Sequence, residues 1–187
     1  QALGVTRVPN GAPLVLNYFT TSATQRRQVT EIFTQSLAEC GIGLNPVYGT
    51  ASDFYAQGPA GPLFGRRFDL AQYAIGVNSL EPQCDWFTTG QVPKASNNWV
   101  GTNVSGYSNA DYDAACEAAL RVLPNEAGYT SHQQAQTFFA LDLPSIPLYM
   151  RLKVAAARED FCGLTLEPSS AYPLADIKSF DYGAGCE

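Results

Sequence analysis

Arg66 to Phe87 reads RRFDLAQYAIGVNSLEPQCDWF. A charged pair leads into an apolar run that stops at the polar, turn-rich NSLEPQCDW. A short apolar run bounded by turn signals predicts a buried strand, here over Phe68–Val77. Such a strand delivers a loop to the end of a sheet. In open α/β sheets ligands bind in crevices outside the carboxyl ends of the strands, so this loop is where function is expected.

Toward the N-terminus, Asn10-Gly11-Ala12-Pro13 is a turn signal and Leu14–Phe19 is a short apolar run that predicts another buried strand. Ser22-x-x-Gln25 has the form of a capping box. Val29, Ile32, Phe33, Leu37 and Cys40 recur at helical spacing, and Gly41 ends the pattern. Ile42, Leu44 and Val47 predict a second strand. The order is β-α-β, for which parallel strands and a right-handed crossover are expected. Residues 49–65 are rich in Gly, Pro and Ala and predict a short helix near Asp53–Gln57, then a loop.

Toward the C-terminus, residues 78–107 are rich in Asn, Gly, Ser and Thr and enclose Trp86 and Trp99. Long connections of this kind are often functional. A helix is predicted from Ser108, with Asp111 as the returning capping carboxylate and Tyr112, Ala115, Cys116, Ala119, Leu120 and Leu123 as its buried stripe. Pro124 ends it. A third helix is expected from about Glu126 to Leu141, burying Ala135, Phe138 and Phe139. Leu148, Met150, Leu152 and Val154 alternate with Tyr149, Arg151 and Lys153, which predicts a strand with one polar face. Beyond Arg158 the sequence reads as coil, with a short strand near Ile177–Phe180.

Composition bounds the function. The chain has 187 residues, 45% hydrophobic and only 15% charged, with a formal charge of −6. It is globular rather than disordered. It lacks the clustered cations that nucleic acid requires. Arg26-Arg27 and Arg66-Arg67 read as solvated surface charge. No apolar run approaches the ~18 residues of a membrane span. Gln1 opens directly into QALGVTRVPNG without a signal peptide, as a mature protein or an excised domain would.

Five cysteines stand at 40, 84, 116, 162 and 186, without a C-x-x-C, and His132 is the single histidine. Metal binding is therefore not expected. Dispersed cysteines with little lysine fit an oxidising compartment. Leaving one thiol and pairing four allows about 15 arrangements. We take Cys84 with Cys116 and Cys162 with Cys186, Cys40 being left; the alternative is that all five are reduced.

Catalysis finds little support. His132 sits within a helical pattern, reads as a surface or half-buried residue, and no G-x-S-x-G elbow is present. Glu81 and Asp85 are four apart in a loop, a spacing that fixes no geometry for a carboxylate pair. No phosphate-binding glycine motif occurs. What remains is binding chemistry. Trp86, Trp99, Tyr73 and Tyr107 supply flat apolar area, and Asn78, Ser79, Asn97 and Asn98 supply orienting hydrogen bonds. The competing reading is that both tryptophans cover the core beneath a long loop.

FDLAQYAIG, then N-x-x-E-P…WF, SGYSNADYDA and HQQAQTFFALDLPSIPLYMR, follow one another in an order that resembles family 5 of the bacterial extracellular solute-binding proteins. This is the oligopeptide, dipeptide and nickel type of ABC transporter. The resemblance runs from about Pro13 to Arg158. It implies an α/β, periplasmic-binding-protein-like (type II) lobe, a mixed sheet flanked by helices. Residues 1–187 would be a single ligand-binding lobe, the C-terminal domain of a longer two-lobed protein, with 159–187 as an irregular tail. It further implies extracytoplasmic placement (periplasm or lipid anchor at the cell surface), no enzymatic activity, no cofactor, and three partners: a small or peptide solute, the N-terminal lobe and a membrane permease. The strand ends near Thr20 and Val77 would face the cleft, with Thr20, Asn78, Ser79, Trp86 and Trp99 at the solute. Peptide-binding members often carry Asp three residues before the acidic-Pro pair, to hold the α-amino group. Here that position is Asn78, which implies a different ligand class or a substitute carboxylate, Glu81 or Asp85. Two alternatives stand beside this reading: a secreted hydrolase using those loop carboxylates, and an interaction module that docks through the aromatic loop.

Overall fold

Leu14–Thr21 (β1) and Ile42–Gly49 (β2) pair in parallel from Leu14↔Ile42 to Thr21↔Gly49. In this computed structural model, residues 11–76, 83–122, 128–150, 152, 154–166 and 176–184 are described. The chain divides into two compact units, Gln1–Ala74 with Cys84–Pro144, and Ile75–Gln83 with Ser145–Glu187.

In the first unit, β1 and β2 flank α1 (Thr24–Glu39), giving the expected β-α-β. Strand β3 (Leu70–Ala71) adds to the other side of β1, so the sheet has the order β2-β1-β3 and all three strands are parallel. β1 is rich in the aromatic and β-branched residues that suit a pleated surface. The α1 face of the sheet carries Tyr18, whose ring meets Phe33 edge-on at 6.1 Å. Gly41 takes φ +76 just past the helix, the left-handed position at which a Cβ is disfavoured.

Three details differ from expectation. Ser22 does not cap α1: its N–H bonds the Gly49 carbonyl and its own carbonyl accepts from Arg27 Nε. It thus prolongs the β1–β2 edge, and the helix starts after Ala23 without a side-chain cap. Ile32 and Cys40 are exposed; the inward stripe is Val29, Thr30, Phe33 and Leu37. The strand expected at Phe68–Val77 shrinks to Leu70–Ala71, and residues 72–76 are irregular. Where it ends, Gln72 N still bonds the Phe19 carbonyl and the Thr20 hydroxyl donates to the Gln72 carbonyl. Val77 lies outside the described residues.

The short helix α2 is Ala51–Phe54, slightly before its expected place. Thr50 caps it, accepting from Asp53 N at 3.1 Å. Phe54 anchors one core cluster with Leu63 and Val104, against which Phe19, Phe68 and Tyr73 pack.

Helices α3 (Ala110–Ala119) and α4 (Gly128–Asp142) build a second cluster from Tyr112, Ala115, Cys116 and Ala135. Phe87 meets Phe139 edge-on at 4.8 Å, and Tyr107 meets Tyr112 at 5.3 Å. Asn109, not Ser108, caps α3: its Oδ1 accepts from Asp111 N and Tyr112 N. Asp111 and Asp113 in the first turn complement the helix dipole. Leu120 is exposed, and Leu123 lies outside the described residues. His132, expected at the surface or half-buried, is buried, and its Nδ1 has no partner among the described residues.

The second unit holds an antiparallel pair, β4 (Phe161–Cys162) with β5 (Asp181–Tyr182), inside the stretch read as coil. Ile177–Ser179 is a 3-10 turn rather than a strand. Phe161 and Phe180 stack edge-on at 5.1 Å. The strand expected over Leu148–Val154 is absent from its described positions, 148–150, 152 and 154. A strand needs a neighbour for its backbone N–H and C=O groups, and no described strand pairs there.

Candidate functional site

Parallel pairing brings the carboxyl ends of β1, β2 and β3 to one edge of the sheet. At that edge Thr20 is fully buried and donates to the Gln72 carbonyl at 3.0 Å. Gln72 N bonds the Phe19 carbonyl, and Gln72 Oε1 accepts from Tyr18 OH at 2.9 Å. Gln72 Nε2 is a buried donor without an acceptor among the described residues. Tyr73 follows, half-buried in the Phe54 cluster. Burial, and then the nearby Tyr55, push its hydroxyl pKa up. The sequence reading missed Gln72, whose one signal was a polar side chain in an apolar run.

The loop carrying Trp86 is fixed at both ends. Residues Cys84–Phe87, Thr89–Gln91 and Ala95–Asn97 form 3-10 turns. Cys84 is disulfide-bonded to Cys116 of α3, as expected. Tyr112 OH donates to the Cys84 carbonyl. Burial, then the charges of Asp113 and Asp85, push the Tyr112 pKa up to about 12. Asp113 accepts from Thr89 N at 2.9 Å. The Trp86 carbonyl accepts from Thr102 Oγ1, and its side chain is half-buried.

Asn103 organises this loop and was not foreseen. It is fully buried. Its Nδ2 lies 2.9 Å from each of the Phe87, Thr88 and Tyr107 carbonyls. Its Oδ1 accepts from Ser105 Oγ and Tyr107 N. Its backbone N bonds the Gln91 carbonyl. A buried amide meeting so many loop groups holds turns that lack a ladder of their own.

Trp99 belongs to a different junction. Its indole lies on Gly58, where a Cβ would come within 2.5 to 2.9 Å of ring atoms. Gln57 Nε2 reaches across to the Asn98 carbonyl at 2.8 Å. Asn98 and Trp99 both have positive φ, 54° and 60°. The Gly-Pro-rich stretch thus supplies the bare backbone on which Trp99 sits.

Among the described residues, no hydrogen bond or ring contact joins Thr20, Trp86 and Trp99 to one another. Asn78, Ser79 and Glu81 lie outside the described residues. Asp85 stands in the first 3-10 turn, and its backbone carbonyl accepts from Thr88. Tyr107 OH and Asn109 Nδ2 both donate to Asp142 Oδ2, at 2.7 and 2.8 Å. The bonds from Asn109 and Tyr107 hold the Asp142 carboxyl below the usual range, while burial and that same bond raise Tyr107. Cys162 is disulfide-bonded, its expected partner Cys186 lies outside the described residues, and Cys40 is free and exposed. Among the described residues, no group of three or more His, Cys, Asp and Glu side chains is placed to hold a metal, and no helix is long and apolar enough to cross a membrane.

This architecture has counterparts among solved structures. The oligopeptide-binding protein of Thermus thermophilus, complexed with a pentapeptide, matches 74% of this chain over 24% of its own, with a TM-score of 0.65 at 23% identity. The oligopeptide-binding protein AppA of Bacillus subtilis, in complex with a nonapeptide, matches 95% over 35% of its own, with a TM-score of 0.70 at 17% identity. NikZ of Campylobacter jejuni, in complex with Ni(L-His), matches 90% over 33%, with a TM-score of 0.66 at 16% identity. No protein-family model matches the sequence, and no curated protein matches it significantly. The chain therefore has the α/β fold found in solute-binding proteins. It spans about a quarter to a third of the length of these three.

Proposed function

We propose that this chain is one lobe of the solute-binding component of an ABC-type importer, working outside the cytoplasm with a second lobe and a membrane permease, without catalysis. The observation that carries this reading is the agreement of fold with proteins solved around a pentapeptide, a nonapeptide and a nickel–histidine complex. The Cys84–Cys116 disulfide supports an oxidising compartment. In this reading Trp86, on its ordered loop, touches the solute, and Asn78 and Ser79 are the further contacts that the family resemblance implies. Thr20 and Trp99 act from beneath, Thr20 by holding Gln72 and Trp99 by fixing its loop on Gly58.

The solute is peptide-like, with Asn78 altering how its amino end is held. An amide offers no negative charge to an ammonium group. The test is calorimetry of the intact two-lobed protein against free and N-acetylated peptides, with mass spectrometry of any solute carried through purification. Asn78→Asp is expected to strengthen binding of free-amine peptides by about tenfold, equivalent to ~1.4 kcal/mol. Absence of any peptide affinity in both proteins refutes the reading. The chain alone, having half of a two-lobed clamp, is expected to bind more weakly than micromolar.

A further inference from the structure

Ile146, Leu148, Met150, Leu152 and Val154 are five apolar residues in strict alternation. All five are exposed, Met150, Leu152 and Val154 at 93, 89 and 83%. On a helix, steps of two residues turn by about 200° and scatter such side chains around the axis. In extended chain they form one row, about 26 Å long over eight steps at ~3.3 Å each. The positions between them in the sequence, Pro147, Tyr149, Arg151 and Lys153, are of mixed polarity. An apolar row of this length is poorly suited to water and marks a surface that something covers.

We propose that 146–154 is a β-strand in the intact protein, and that its even-numbered row is covered by the second lobe of the same polypeptide, which supplies a neighbouring strand and an apolar layer. This rests on reading the chain as one lobe. Two observations favour that occupant. The solved counterparts are roughly three to four times as long as the portion this chain matches, so a tethered partner is at hand. The period is that of a strand, which needs backbone partners as well as an apolar surface. A lipid bilayer offers none, and open strand edges do not enter hydrocarbon.

The test is thiol accessibility in the intact polypeptide. A Cys40→Ser background removes the exposed free thiol. Met150→Cys, Leu152→Cys and Val154→Cys are then introduced singly, with Tyr149→Cys as the opposite-parity control. The three even positions are expected to alkylate at least 100-fold more slowly in the native protein than in urea, and Tyr149→Cys faster than they do. Hydrogen exchange on the unsubstituted protein is expected to find the backbone amides of the segment protected. Labelling of the even positions at the denatured rate, with rapid exchange, overturns the inference. So does protection that disappears when the protein is diluted, since a second copy would then be the occupant. Peptide binding measured on the same protein separates the two proposals. Binding with a freely labelled row refutes the strand alone; a protected row without binding refutes the solute reading alone.

Discussion

Asn103 is expected to be among the costliest single positions in the chain to change. Asn103→Ala leaves the Phe87, Thr88 and Tyr107 carbonyls short of a donor and removes an acceptor from Ser105 Oγ and Tyr107 N. A neutral hydrogen bond contributes about 1 kcal/mol, and a buried group left unpaired costs about 1–3 kcal/mol. The carbonyls are only partly buried, and Tyr107 N keeps a bond to Ser105 Oγ. The expected loss is therefore about 3 kcal/mol rather than the larger sum. Asn103→Asp keeps the shape and reverses the chemistry, setting a carboxylate against three carbonyl oxygens. At pH 7 it is expected to lose at least as much as Asn103→Ala. The fold disfavours that carboxylate, so its folded pKa rises above the unfolded value of about 3.9. The variant is then relatively more stable at low pH, and this advantage fades as pH rises through the folded pKa. Urea unfolding followed by tryptophan fluorescence at pH 7 and pH 4 measures both effects. A loss below ~1 kcal/mol for either variant at pH 7, or no pH dependence for Asn103→Asp, would refute the role assigned to this amide.

Removing the Cys84–Cys116 bond, which spans 32 residues, as Cys84→Ala/Cys116→Ala is expected to cost about 4 kcal/mol by the chain-entropy relation; urea titration checks it, and a loss under ~1 kcal/mol contradicts it. Gly58→Ala places a Cβ against the Trp99 indole and is expected to cost about 1–3 kcal/mol. A double-mutant cycle with Trp99→Ala should recover at least ~1 kcal/mol of that; additive losses would dissociate the two residues. For Asp142, donors from Asn109 and Tyr107 depress the folded pKa. Its contribution is present above the unfolded value of about 3.9 and disappears as pH falls through the folded pKa. Carbon NMR is expected to find its carboxyl midpoint below that value, and Asn109→Ala should raise it.

The β-α-β core was legible because its signals are local. Val29, Phe33 and Leu37 give the helical period, and the flanking apolar runs give the strands. The pairing of Cys84 with Cys116 was open among many, and the structure selects it. The caps failed where a neighbour competed: Ser22 is drawn into the β1–β2 edge, and Ser108 faces Thr89 while Asn109 takes the helix end. Asn103 was illegible for a different reason. Two of its partners lie 15 and 16 residues upstream, so nothing in its immediate sequence distinguishes it from Asn97 or Asn98. Leu148, Met150, Leu152 and Val154 show the converse: a clear period-2 pattern with exposed side chains, because strand propensity measures fit to a neighbour rather than an intrinsic preference.

The same contacts bear on how solute binding would be made efficient. Loops that order on binding lose affinity to the cost of immobilising them, about 0.5–1.5 kcal/mol per flexible side chain. The Trp86 loop is ordered beforehand by three constraints: the disulfide to α3, the Tyr112 hydroxyl on the Cys84 carbonyl, and the Asn103 amide at Phe87 and Thr88. Trp99 is held separately by its seat on Gly58. If Trp86 meets solute as proposed, disturbing Asn103 or the disulfide should weaken binding through loop order rather than through lost contact. Trp86→Ala removes the contact and leaves these constraints in place. The first kind of variant should therefore show a larger entropic penalty in calorimetry at equal loss of affinity, and the same penalty for both kinds would mean that the loop's rigidity serves the fold alone.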